Sequence, residues 1–153
     1  TAIEREFDEL YTKNLSALGI RYEAEKEKFA DSIKREKRCQ ITTRGAAWIA
    51  DYPDGDNFMQ LLYSKNIGES NNGCYKSATF DALYEKSAQL PDGPERDKLY
   101  MEMQKQFEAD TPWALGVTRY RNQMVHPWVV GYKKHPILLS EWMYFDVNME
   151  KGK

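Results

Sequence analysis

Residues 48–58 carry the most informative stretch of the chain and read Trp-Ile-Ala-Asp-Tyr-Pro-Asp-Gly-Asp-Asn-Phe. Within it, residues 51–56 combine three aspartates with a proline and a glycine, a composition typical of a turn; we call this segment the acidic turn. Before it, Cys39–Ala50 is rich in β-forming and small residues and lacks acidic charge, which predicts a buried strand. After it, Asn57–Lys65 has apolar residues at helical spacing and predicts a helix capped by Asp56.

The segments on either side of this centre predict an α/β arrangement. Apolar and polar residues alternate over Ile20–Lys26, which predicts a second strand, and Glu27–Lys37 predicts a helix between the two strands. This order favours a parallel pair with a right-handed crossover. Further helices are predicted over Ile3–Leu18, Thr79–Leu90 and Glu95–Ala109, with Pro94 at a first helical position. From Trp113 onward, aromatic and β-branched residues interrupted by prolines predict extended segments and loops.

The composition predicts one globular domain over residues 1–153. Hydrophobic residues make up 41% of the chain and charged residues 30%, and no apolar run approaches the roughly 20 residues of a membrane span. The net charge of −2 offers no basic excess for nucleic acid or an anionic membrane. Two cysteines, Cys39 and Cys74, permit one disulfide without demonstrating it.

Asp51 is the leading candidate for a ligand contact, because ligands of α/β sheets bind just outside the carboxyl ends of strands. A carboxylate beside Trp48 and Tyr52 suits a cation such as an α-ammonium group, through a charge-assisted hydrogen bond and cation–π attraction. Arg44, in the same predicted strand, is a candidate anchor for a ligand carboxylate. Two ordinary alternatives stay open: Asp51 bonds the backbone of its own turn, and Arg44 forms a structural ion pair.

Calcium is a second reading of the acidic turn, since it favours clustered oxygen ligands such as those of Asp51, Asp54, Asp56 and Asn57. The EF-hand spacing is not met, and a turn with a helix cap accounts for the same residues.

An enzyme needs a nucleophile–base constellation, and the sequence contains none of the common nucleophile, phosphate-binding or metal motifs. The two histidines, His126 and His135, each precede a proline in predicted loops. We therefore expect no metal, no cofactor and no catalytic activity.

Five blocks of the sequence, in this order and spacing, resemble the C-terminal part of extracellular solute-binding proteins, family 5. These are the substrate-binding components of peptide, nickel and related ABC importers. The resemblance covers roughly residues 15–147, and the Trp-x-Ala-Asp-Tyr block is its specific part. The blocks are Trp48–Phe58, Asn71–Tyr75, Phe80–Tyr84, Glu95–Tyr100 and Asp110–Trp113.

The resemblance implies a mixed α/β lobe of the type II periplasmic binding protein fold. It implies a fragment of a two-lobe protein, without signal peptide or N-terminal lobe, that works with ABC permease subunits in a periplasmic or extracellular, membrane-associated setting. In peptide binders of the family, the matching aspartate pairs with the α-ammonium of the peptide, which points to Asp51, with Trp48 lining the pocket. The role of Arg44 is less clearly matched, and Gly55 replaces a proline of many relatives, which should loosen the turn.

Further expectations follow from this setting. An oxidising compartment favours a disulfide between Cys39 and Cys74. A single lobe would expose the face meant for the missing one, including some of Trp113, Trp128 and Trp142, so self-association is expected. The ligand is a small peptide or another small solute. A structural or protein-interaction module and, last, a hydrolase are the alternative functions.

Overall fold

The structure is a computed structural model that describes residues 2–137 and 140–151. The chain divides into two compact units, Thr1–Arg35 and Glu36–Lys153. The expectation of a single domain over residues 1–153 stays a prediction. All the candidate site residues lie in the second unit. Among the described residues, no helix is long and apolar enough to cross a membrane.

The first unit contains one long helix, α1. It spans Ala2–Ala17, which confirms the helix predicted over Ile3–Leu18. The helix is followed by Gly19, whose φ of 74° is a left-handed conformation that glycine adopts without steric cost. The sequence marks both the helix and its end, because periodicity and a terminating glycine are local signals.

The strand predicted over Ile20–Lys26 is wrong. This segment is irregular and folds back onto α1 through side chains: the Tyr22 hydroxyl donates to Asp8 Oδ1 at 3.4 Å, and Lys26 Nζ lies 3.1 Å from Asp8 Oδ2. Alternating polarity alone does not make a strand, since the backbone also needs a neighbouring strand to bond.

The second unit is mainly helical. Its elements are the end of α2 (Phe29–Lys37), α3 (Asp56–Met59), α4 (Ala78–Ser87), α5 (Pro94–Asp110) and short 3₁₀ turns at Gln60–Leu62, Ser64–Asn66 and Trp142–Tyr144. Strands β1 (Val129–Val130) and β2 (Asp146–Val147) pair antiparallel, with Val129 opposite Val147. The expected α/β lobe is therefore present only loosely, as helices with one small ribbon.

Helices α4 and α5 form a hairpin whose ends follow capping chemistry. Ser77 precedes α4 and its Oγ accepts a hydrogen bond from the backbone N–H of Phe80 at 3.3 Å. Pro94 is the first residue of α5, where its missing N–H costs nothing, and Thr111 closes the helix in a left-handed conformation with φ of 43°. Both predicted helices are confirmed.

The core lies between this hairpin and the segment that follows the acidic turn. Leu62, Phe80 and Met103 are buried at its centre. Partly buried residues surround them: Met59, Tyr75, Leu83, Tyr84, Tyr100, Phe107 and Trp113. Met59 and Leu62 follow the acidic turn closely in the sequence and belong to this core, so the C-terminal end of the turn is held by core packing.

The strand predicted over Cys39–Ala50 is also wrong. Residues 40–50 are irregular, and no described residue pairs with them in a sheet, so the parallel strand–helix–strand unit is absent. A run of β-forming residues becomes a strand only when a neighbour accepts its backbone hydrogen bonds. Trp48 therefore reaches the site on an irregular segment that side chains must hold.

The helix predicted over Asn57–Lys65 is shorter than expected. It begins at Asp56 and ends at Met59, after which two 3₁₀ turns continue the chain. Asp56 is not its cap: the backbone N–H of Asp56 donates to Asp54 Oδ1 at 2.8 Å. The side chain of Asp56 serves a different purpose in the site.

Candidate functional site

The Asn57 side chain lies at the centre of the candidate site and is fully buried near the start of α3. Its Oδ1 accepts two hydrogen bonds, from the indole Nε1 of Trp48 at 2.8 Å and from the backbone N–H of Asp51 at 3.1 Å. Its Nδ2 has no hydrogen-bond partner in the described part of the chain. One buried oxygen thus holds both the Trp48 ring and the backbone of Asp51.

The Asp51 carboxylate faces solvent. Within the described ranges it forms no hydrogen bond or ion pair. Trp48, whose indole N–H binds the same Asn57 oxygen as the backbone of Asp51, is 42% exposed. The backbone of the acidic turn is held by Asn57 and Asp54 instead, so the alternative in which Asp51 bonds its own turn is not what the structure contains.

Asp56 accepts hydrogen bonds from two tyrosines. The Tyr52 hydroxyl donates to Oδ2 and the Tyr84 hydroxyl to Oδ1, each at 2.6 Å. The hydrogen bond to Asp56 raises the pKa of Tyr52, and burial together with the same carboxylate raises the pKa of Tyr84. Because the hydroxyl of Tyr52 is engaged, its 40% exposed side chain can offer a ligand mainly the ring.

Asp54 fixes the acidic turn to α5. Arg96 Nη1 donates to Asp54 Oδ2 at 2.6 Å, and the Tyr100 hydroxyl donates to Oδ1 at 2.9 Å. Burial alone would raise the pKa of Asp54, but the hydrogen bonds from Asp56 N–H, Arg96 and Tyr100 outweigh it and hold that pKa below its usual value. Burial and the bond to Asp54 raise the pKa of Tyr100 to about 12.

Gly55 is required by a close approach rather than by its backbone. Its φ of −60° and ψ of −27° suit any residue. A Cβ atom there would lie 2.9 Å from Cε2 of the Tyr100 ring, closer than real carbon contacts allow. The expectation that Gly55 loosens the turn is replaced by this observation: the glycine lets Tyr100 pack on the turn and reach Asp54.

The structure pairs Arg44 with Glu36, with 2.5 Å between Nε and Oε1. Glu36 is 3% exposed, and a buried carboxylate needs a charged partner. The structural ion pair that the sequence left open is therefore present. The role of Arg44 toward a ligand carboxylate stays a prediction, and it would require Arg44 to give up Glu36.

Cys39 and Cys74 form a disulfide, with 5.8 Å between their Cα atoms. The bond joins the chain just after α2 to the loop before α4. The loop that it closes contains the irregular segment 40–50 and the acidic turn. Every candidate ligand residue therefore lies inside one covalent loop.

The described residues contain no group of three or more His, Cys, Asp or Glu side chains arranged to hold a metal ion. The oxygens of Asp54, Asp56 and Asn57 are already bound by donors of the protein. The calcium site considered for the acidic turn therefore lacks a set of free oxygen ligands among the described residues.

Sequence reasoning missed the residues that hold the site. The sequence singles out Asn57 only as a candidate calcium ligand, and it gives Arg96 and Tyr100 only as parts of a block that resembles family 5. One signal is present in the sequence. Arg96 and Tyr100 are four residues apart, which places them on the same face of α5. Their partner Asp54 is 42 residues from Arg96, which no local pattern reveals.

Comparison with known proteins gives several relatives. Heme-binding protein A of Haemophilus influenzae is 32% identical over 84% of this chain and 24% of its own length. Di/tripeptide-binding protein 4 of Pseudomonas aeruginosa is 29% identical over 65% of this chain and 19% of its own length. The probable deoxycholate-binding periplasmic protein YgiS of Escherichia coli is 28% identical over 58% of this chain and 16% of its own length.

The chain is similar to solute-binding proteins. It spans a quarter or less of the length of these relatives. No family model matches it, and no solved structure gives a significant match. The three relatives differ in the solute that their names give, so the similarity indicates a class of binding protein and not one ligand.

Proposed function

We propose that this chain is the C-terminal part of an extracellular solute-binding protein, family 5, which captures a small solute for an ABC importer. The intact protein would act in the periplasm or outside the cell, next to the permease subunits. One observation carries the proposal: Asp51 is solvent-facing and unpaired within the described residues, while Asp54 and Asp56 are bound by hydrogen-bond donors of the protein.

The chemistry of the site favours a ligand with a free ammonium group. An unpaired carboxylate attracts a cation, and the half-exposed ring of Trp48 adds cation–π attraction. Heme and deoxycholate carry carboxylates, which Asp51 would repel. Among the solute classes in the names of the relatives, short peptides therefore fit this part of the site best.

Capture without chemical turnover is part of the proposal. Two of the three carboxylates of the acidic turn are bound by protein donors, and the carboxylate of Asp51 bonds no other side chain among the residues that the structure describes. General acid–base work needs a second group within reach of the reacting atoms. A single exposed carboxylate is suited to binding a charge.

The test uses the intact protein from the complete open reading frame and isothermal titration calorimetry. The ligands are the tripeptide Ala-Ala-Ala and its N-acetylated form, which lacks the ammonium group. We expect Asp51→Asn to weaken tripeptide binding by about 2–4 kcal/mol, because the enclosed ammonium loses its charged partner. Acetylation should weaken binding to the unsubstituted protein by a similar amount.

The two changes should not add, since each removes the same interaction. Asp92→Asn is the control: Asp92 lies outside the acidic turn and its side chain is 89% exposed, so its loss should leave binding unchanged. Equal affinity of the Asp51→Asn protein and the unsubstituted protein for Ala-Ala-Ala would refute the anchor. Tight binding of hemin or deoxycholate with no peptide binding would refute the ligand class.

A further inference from the structure

We propose that Asn57 is the positioning residue of the solute site. Through one oxygen it sets the orientation of the Trp48 ring and the backbone position of Asp51, and so presents a ring and a carboxylate together. This inference rests on the proposed function, because it concerns the same site. It assigns the alignment of both groups to a side chain that itself stays out of reach of a ligand.

The first argument is the lack of regular structure before the acidic turn. Residues 40–50 are irregular, so no ladder of backbone hydrogen bonds determines where Trp48 lies. The indole N–H of Trp48 and the backbone N–H of Asp51 instead converge on Asn57 Oδ1, at 2.8 and 3.1 Å. A single acceptor thus holds two donors that are three residues apart in the sequence.

The second argument is that packing alone does not call for an amide at this position. Asn57 is fully buried, and its Nδ2 finds no partner in the described residues. Burying an unpaired polar group costs free energy, which leucine of similar size would avoid. The advantage of an amide at position 57 is therefore its oxygen, which accepts the two hydrogen bonds from Trp48 and Asp51.

The third argument is charge. The acidic turn already carries Asp51, Asp54 and Asp56, so a fourth carboxylate at position 57 would meet like charges in a buried place. Asparagine supplies a strong acceptor without charge. Among the described residues, Asp51 then stays the one carboxylate of the acidic turn that no protein donor binds.

The test is nuclear magnetic resonance of the ¹⁵N-labelled chain. Trp48→Phe and Trp142→Phe identify the two indole N–H signals, and hydrogen exchange is measured for each. Trp142 is 78% exposed and serves as the unprotected reference. We expect the Trp48 indole to exchange about tenfold more slowly than that of Trp142, as one hydrogen bond to a buried acceptor implies.

Asn57→Leu should remove this protection of Trp48. Asn57→Asp keeps an acceptor and adds a buried charge, so it should retain the protection in the folded chain while lowering the free energy of unfolding. Asn66→Leu is the matched control, because the Asn66 amide also donates a hydrogen bond, to the Gln60 carbonyl at 3.0 Å, but hydrogen-bonds neither Trp48 nor Asp51. It should leave the Trp48 signal unchanged.

Several results would overturn the inference. Fast exchange of Trp48 in the unsubstituted chain would do so even if Asn57→Leu fails to fold, and so would protection that survives in a folded Asn57→Leu chain. In the intact protein, Asn57→Leu should also weaken binding of Ala-Ala-Ala about tenfold, and unchanged affinity contradicts the positioning role. An intact protein that binds no peptide at all refutes the proposed function instead, while the exchange data still report the contact.

Discussion

Three aspartates lie within six residues of the acidic turn, and the structure gives them different roles. Asp54 is bound by Arg96 and Tyr100 of α5, and Asp56 by Tyr52 and Tyr84. Asp51 has neither kind of partner in the described residues. Residue type therefore did not distinguish the candidate anchor from its neighbours; the donors supplied by α4 and α5 did.

The Asp54–Arg96 pair should stabilise the fold in a pH-dependent way. Because the pKa of Asp54 is lower in the folded chain than in the unfolded one, its contribution is complete above the unfolded value and is lost as pH falls through the folded value. We expect Asp54→Asn to lower the free energy of unfolding by about 1–3 kcal/mol at pH 7. Urea unfolding should show this gap shrinking below about pH 4.

Asp92→Asn is the matched control for that prediction. Asp92 binds the same Arg96 nitrogen at 2.5 Å but is 89% exposed, so its ion pair should contribute at most about 1 kcal/mol. If both variants cost the same, or if the Asp54→Asn gap persists unchanged at pH 3, the pair is not what fastens the turn to α5.

At the scale of elements, most of the helices were predictable and the strands were not. Helices α4 and α5 depend on local signals, such as the Ser77 cap and Pro94 at the first position, which the sequence states within a few residues. The segments 20–26 and 39–50 have strand-like composition, but a strand depends on a partner elsewhere in the chain. The site was hidden for the same reason, because Trp48 binds Asn57 from an irregular segment and Arg96 binds Asp54 from 42 residues away.

The disulfide takes over part of the role that a sheet would play for the segment 40–50. Cys39 and Cys74 are 35 residues apart, and closing such a loop restricts the unfolded chain by up to about 4 kcal/mol. We expect the double variant Cys39→Ser, Cys74→Ser to lose about 2–4 kcal/mol of unfolding free energy, measured by urea denaturation without reductant.

Two controls accompany this prediction. Reductant should destabilise the unsubstituted chain by the same amount and leave the double variant unaffected. Thiol titration of the denatured, unreduced chain should find no free sulfhydryl, and two free sulfhydryls would contradict the disulfide.

At the scale of the whole molecule, the described chain leaves much apolar surface in solvent. Between residues 115 and 124 the side chains of Leu115, Val117, Tyr120 and Met124 are each more than three-quarters exposed. Among the tryptophans expected to be exposed, Trp142 is, whereas Trp113 packs against the core and Trp128 is half-buried. Apolar patches of this kind are found where another surface binds.

We expect the 153-residue chain to self-associate and to bind peptide at millimolar affinity or weaker. Apolar burial at about 25 cal/mol per Å² drives association, while an ammonium paired with the exposed Asp51 gains only about 0–1 kcal/mol in bulk water. Analytical ultracentrifugation should show a mass that rises with concentration. Calorimetry with Ala-Ala-Ala should show no measurable heat at micromolar concentrations.

Two double variants separate apolar burial from charge in this association. Leu115→Lys with Val117→Lys removes apolar surface and should give a monomer, because the contact loses its driving force. Thr118→Lys with Asn122→Lys adds the same charge at exposed polar positions of the same segment and should still associate. Equal dissociation by both pairs would assign the effect to charge repulsion. A clean monomer of the unsubstituted chain at high concentration would contradict the predicted self-association. Micromolar peptide binding by the same chain would contradict the predicted weak binding.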